Sequence, residues 1–253
     1  MPKAVLFFIL LLGWSAHAKF SGAGCETFLI HSGSLGSSYV DLQEREKHVH
    51  QMDVRLKDRD LLVENGGLCA STCAINILRA ASLYSTGRGG LLDLFSTDYI
   101  ENLVKGVWIR TGADARYGLS LPAAGEAMLK IASQEGLLLY AEWIPLRNRT
   151  SDISVLKPAD NEILMVAIDS GAGDDGTRKY HALVITGADL QAGLVSVSNP
   201  HHPNRIDVLP VIWTPFNIPS LKIDYPSAKN SDLVGTVVDI LRVTVPRLRL
   251  PPP

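Results

Sequence analysis

The hydrophobic pattern of the chain changes at Ile163. Before it, apolar residues recur at helical spacing; from Cys69 to Ala81 they run nearly all round a helix, and such a helix must be buried. After it, they come in short runs of Val, Ile and Leu broken by turn residues, the pattern of strands. The expected strands are Ile163–Ile168, Ala182–Thr186, Leu194–Ser198 and Val237–Val245. The expected helices are Cys69–Ala81, entered from Gly66-Gly67, then Asp98–Val107 and Pro122–Glu135. Pro122 suits a first helical turn, where its missing N–H costs nothing. Tyr39–Val63 is compatible with a helix or an early strand, and the Gly/Ser-rich stretch Phe20–Ser38 reads as a surface loop. A helical first half before a strand-rich second half predicts an α+β domain. A central helix packs on an antiparallel sheet, and the cleft lies where the helix N-terminus meets that sheet.

With 253 residues, 46% of them hydrophobic, the chain can build one domain with a sizeable core, expected over residues 19–246. Its 24 basic and 26 acidic residues give no reason to expect nucleic acid or an anionic surface as partner. The densest charge run, Asp41–Asp60, mixes both signs and reads as solvated. Lys3, the apolar run Ala4–Trp14 and Ala16-His17-Ala18 form a signal peptide over residues 1–18. The run is short for a membrane span, and no later stretch is long and apolar enough either. The mature chain is expected to start near Lys19, without a span, in a secreted or periplasmic location. An uncleaved anchor and a lipidated Cys25, after Gly22-Ala23-Gly24, are the weaker alternatives. Residues 247–253 read as a disordered, proline-rich tail.

Three cysteines in an exported chain leave at least one without an internal partner. Cys69 and Cys73, four apart on a helix, make a poor disulfide. Cys25 with Cys73 is the better pair and leaves Cys69 as the working thiol. A thiolate is the nucleophile, so such a residue needs help to ionise. Cys69 is expected to open the helix, where unpaired N–H groups and the macrodipole favour negative charge and can also cradle an oxyanion. Cys73, one turn deeper, reads as core or as half of a disulfide.

Downstream, His181 begins a strand, Ala188–Gly193 is turn-like, and Leu194–Ser198 returns to Asn199-Pro200. A hairpin centred near Leu190 sets His181 opposite Asn199, with Cβ atoms about 5 Å apart. An amide there can fix the imidazole tautomer and aim the other ring nitrogen at a thiol. Pro200 ends the strand.

Together these residues resemble the papain-like cysteine peptidases, most closely the compact bacterial branch of double-glycine leader peptidases and their exported relatives. The stretch Cys69-Ala70-Ser71-Thr72-Cys73-Ala74 follows that branch's nucleophile pattern loosely. His181–Gly187 and Asn199-Pro200 match its His-x-aliphatic-aliphatic-aliphatic-x-Gly strand and its Asn-Pro ending well. The resemblance spans roughly residues 64–200. It implies a papain-like fold, Cys69 as nucleophile, His181 as general base and acid, and Asn199 as orienter. The chain departs from the family at Ala70, where glycine is preferred, and at Val63, where an oxyanion-hole glutamine usually stands. Asn65, or more remotely Gln51, is the candidate substitute.

His48, His50, His201 and His202 show no zinc-ligand spacing, so no metal and no cofactor are expected. The pair His201-His202 reads as cleft rim or as solvent-facing. Asp169–Asp175 fails the spacing of a calcium loop and reads as an exposed loop before His181, placed to act as a flap over the cleft. Asn148-Arg149-Thr150 is a glycosylation sequon, and Trp108, Trp143 and Trp213 read as core or cleft wall. The expected function is an exported thiol hydrolase cleaving a peptide or amide bond of a peptide or protein substrate through an acyl-thioester on Cys69. The alternatives are a peptidase-like binding protein without turnover and, more weakly, a redox protein using Cys69 and Cys73.

Overall fold

The computed structural model describes residues 34–44, 68–86, 119–146, 152–172, 178–201, 205–213, 218–223 and 233–246. Along them run α1 (Leu35–Glu44), α2 (Cys69–Thr86), α3 (Leu121–Gln134), β1 (Tyr140–Pro145) and a 3₁₀ turn (Ile153–Leu156). Then come β2 (Glu162–Ala172), β3 (Arg178–Asp189), β4 (Leu194–Ser198), β5 (Ile206–Trp213), β6 (Pro219–Ile223) and β7 (Leu233–Thr244). The signal segment, the Asp98–Val107 helix, Cys25, Asn65, Trp108, the sequon and the proline-rich tail lie outside the described residues.

The seven strands are antiparallel in the order β1-β7-β2-β3-β4-β5-β6, and β6 pairs with β7 as well as with β5. The ladder from β2 round to β7 therefore closes on itself. Strand β1 continues along the β7 edge that β6 occupies, β6 pairing its first part and β1 its last. Period-2 alternation sorts side chains onto an inner and an outer face. Val166, Ile168, Leu183, Ile185, Val197 and Ile240 fill the inside. Ile163, Met165, Ala182, Val184, Leu241 and Val243 point outward into a second core shared with the three helices.

This corrects the expected fold class. An α+β, papain-like domain was to be organised around one central helix packed on a sheet; the protein is instead dominated by its seven-stranded antiparallel sheet, with three short helices among the described residues. The physical reason is the closed ladder. Its interior is a core built almost wholly by strands, and the helices cover only the outer face. Sequence periodicity marks strand residues but not which strands pair. It also missed β1, β5 and β6, in which exposed residues along β1 and β5 and the prolines Pro145, Pro210 and Pro219 weaken the strand signal. A further correction concerns the Gly/Ser-rich stretch expected to loop, because α1 starts at Leu35 within it. Ser34 Oγ accepts from the Ser37 N–H at 3.0 Å and caps that helix. Gly36 lies directly against the Thr186 carbonyl of β3, so α1 approaches closer than any side chain would permit.

Helix α3 follows its sequence signals closely. Ser120 is the N-cap, accepting from Ala123 N–H, and Pro122 stands in the first turn. Gly136, at φ +68°, ends it. The N–H groups of Gly136 and Leu137 return to the carbonyls of Ser133 and Ala132, a Schellman closure.

Candidate active site

Helix α2 begins at Cys69, as its spacing predicts, and its first turn is closed by Thr72 N–H donating to the Leu68 carbonyl at 2.9 Å. Its residues from Cys69 to Ser82 are buried on every side. Cys69 and Cys73 are both buried and neither is in a disulfide, so Cys73 does not serve as the bridge partner assigned to it, and Cys25 lies outside the described residues.

The β3–β4 hairpin turns at Asp189, whose carboxylate accepts from the N–H groups of Gln191 and Ala192 at 3.0 Å each, with Gly193 at φ +66°. Asp189 pairs with Leu194, a bulge follows between Ile185 and Gly187, and the last rung is Val184 with Ser198. The expected register, His181 opposite Asn199, is therefore wrong by two residues: the frame would set Leu183 there. His181 and Leu183 share one face because side chains alternate. Asn199 thus reaches His181 along the diagonal, just past the end of β4. His181 Nε2 and Asn199 Oδ1 are 2.9 Å apart, with both residues buried.

The same Oδ1 accepts from the His201 N–H at 3.0 Å. Because a backbone N–H can only donate, the atom it meets must be the amide oxygen. That oxygen in turn can only accept, so His181 carries its ring proton on Nε2 when neutral. Nδ1 then holds the lone pair and is the basic atom of the ring. The ring of His201 packs on that of His181, with centroids 4.9 Å apart and planes tilted by 36°.

The early end of β4 leaves one edge of β3 open at Ala182, and the first turn of α2 fills it. Cys73 Sγ donates to the Ala182 carbonyl at 3.7 Å, and the Ala182 N–H bonds the sulfur of Cys69. Two thiols one turn apart thus bracket the residue that follows His181, which brings Cys69 to the base's own strand. Burial pushes the Cys69 thiol above its ordinary value of 9.0, countered in part by the N–H groups of Ala182, Ala70 and Cys69 itself. The helix N-terminus was expected to lower this thiol, but desolvation outweighs it. Burial, with Cys69 as a neighbouring charge, raises Cys73 well above 9.0. Behind the thiols, Tyr39 of α1 donates to Ser198 Oγ at 3.4 Å and also bonds Asn76. Burial raises that phenol strongly.

Three of the sequence-derived residues, Cys69, His181 and Asn199, thus lie around one end of β3, while Asn65 falls outside the described residues. Two participants were missed. Ala182 acts through its backbone, which residue type does not report. His201 was placed at the rim, and its signal was its position two residues after Asn199, where a turn folds it back. Trp143 and Trp213, expected as core or cleft wall, are substantially exposed. Among the described residues no group of three or more His, Cys, Asp or Glu could hold a metal ion, and no helix is long and apolar enough to cross a membrane. No family model matches the chain, and no curated protein matches it.

Proposed function

We propose that the protein is an exported thiol hydrolase that cleaves a peptide or amide bond, with Cys69 as nucleophile, His181 as general base and acid, and Asn199 as its orienter. The reading rests on these three side chains rather than on a fold family. The observation that carries it is the Asn199 amide oxygen held by two donors, which leaves the base's lone pair on Nδ1. Burial holds the Cys69 thiol protonated on its own, so ionisation requires transfer of its proton to His181. An imidazolium formed by that transfer is the counter-charge the thiolate needs. Attack on the carbonyl carbon forms a tetrahedral oxyanion, and the positive end of the α2 dipole favours negative charge there. His181 then protonates the leaving amine, the acyl group stays on Cys69 as a thioester, and His181 draws the proton from water to release it.

Iodoacetamide labelling near neutral pH, with the modified peptide mapped by mass spectrometry, tests the pairing. Cys69 is expected to be labelled in the native protein and spared in His181→Ala. An inert native Cys69 would sink the proposal and favour a second reading, a peptidase-like binding protein without turnover. The burial that raises this thiol is the observation in favour of that reading.

A further inference from the structure

Cys73 has no part in the steps assigned to Cys69, His181 and Asn199, yet its sulfur lies at the same residue of β3 as that of Cys69. His181 and Leu183 pair with Ile168 and Val166 of β2, so the contact with α2 falls to Ala182 between them. The Ala182 N–H bonds the sulfur of Cys69, and its carbonyl accepts from Cys73 Sγ–H at 3.7 Å. A thiol is a weak donor, but Cys73 is 1% exposed and Ala182 3%, so bulk water does not compete for the carbonyl. An N–H directed at the sulfur favours the thiolate over the thiol, and its strength depends on alignment. Two anchors on one residue set that alignment. We propose that Cys73 is a positioning residue, whose S–H, through the Ala182 carbonyl, holds the Ala182 N–H on the sulfur of Cys69. Two thiols one turn apart also compete to ionise. Burial raises both, and Cys73 the further, with Cys69 as its neighbouring charge. Cys73 therefore keeps the proton it donates while Cys69 loses one. Among the described residues, the other titratable groups at the pair are Tyr39 of α1, beside Cys73, and His181, next in chain to Ala182.

The proposal deepens the thiol-hydrolase reading and rests on it, but its first readout needs no turnover. Amide hydrogen exchange followed by NMR measures how firmly the Ala182 N–H is held. The Val243 amide of the β2–β7 ladder serves as reference. Against it, Cys73→Val, which fills the space without a donor, is expected to speed Ala182 exchange about three- to tenfold. Cys73→Ser, which keeps a donor, should stay within about twofold of native. The pH at which iodoacetamide labelling of Cys69 is half-maximal should rise by about half a unit in Cys73→Val and return to the native value in Cys73→Ser. In the native protein, labelling at rising pH should reach Cys69 before Cys73. Native exchange at Ala182 in folded Cys73→Val would overturn the proposal, as would equally fast exchange in Cys73→Ser and Cys73→Val. Labelling of Cys73 first would do the same, and it needs no variant. An inert native Cys69, with Ala182 exchange still responding to Cys73→Val, would defeat the hydrolase reading and leave the positioning role standing.

Discussion

Asn199→Ala removes an oxygen that two donors share, the buried His181 Nε2–H and the part-buried His201 N–H. Asn199 is only 2% exposed and His181 4%, so neither lost bond is simply replaced by bulk water. Each buried donor left without an acceptor costs about 1–3 kcal/mol. A water entering the space vacated by the amide recovers part of this, so the sum is about 2–4 kcal/mol, taken from the lower part of the range for two donors. In a domain of this size that lowers the melting temperature by roughly 4–16 °C. Urea unfolding of the native and variant proteins, followed by far-ultraviolet circular dichroism, measures the difference. Asn199→Asp makes the control, because a carboxylate keeps both acceptors. Its stability relative to native should be best in acid, where a cationic imidazole partners the carboxylate, and decline toward alkaline pH, where an unpaired buried charge remains. Equal stability of Asn199→Ala and native, within about 0.5 kcal/mol, would refute the shared acceptor and the tautomer derived from it.

Gly36→Ala sets helix propensity against packing. Alanine favours the helix by about 1 kcal/mol, yet its Cβ would collide with the Thr186 carbonyl, a backbone atom that cannot rotate away. Overpacking of about 1–3 kcal/mol should win, so a lower urea midpoint is expected and a higher one would show that α1 does not dock as described. Gly235→Ala meets a methyl of fully buried Ile168 inside the closed ladder, and its urea midpoint should likewise fall. Alkaline pH should destabilise the protein through Cys73 and Tyr39, whose folded-state pKa values burial raises above 9.0 and 10.0. Their contribution is fully present below those unfolded values and is lost as pH rises beyond them toward the folded ones. Urea midpoints across pH 7 to 11 should therefore fall above about pH 9, and less steeply in Tyr39→Phe with Cys73→Ala; an unchanged slope would contradict the burial argument.

Local signals were read well and pairing was not. Cys69 begins α2 and Pro122 stands in the first turn of α3, as expected, because such signals act over a few positions. The hairpin turn between Asp189 and Leu194 was also legible. Its register was not, because the bulge at Thr186 and the early end of β4 depend on packing that no local pattern records. His181 and Asn199 meet nonetheless, since a two-residue error keeps both side chains on one face. The fold class failed for a related reason. The closing pair β6–β7 joins segments whose alternation says nothing about their partners. The thiol's raised pKa likewise reflects how deeply α2 is covered, which the helix-terminus argument does not contain.

The most direct test of Cys69 as nucleophile is capture of the acyl-enzyme itself. The native protein is incubated with a library of peptide thioesters, quenched in acid and digested, and the Cys69 peptide is weighed by mass spectrometry. The expected result is an acyl adduct on Cys69 that disappears in Cys69→Ala and accumulates far more slowly in His181→Ala. Adducts on Cys73 instead, or none on Cys69 while the protein remains folded, would contradict it.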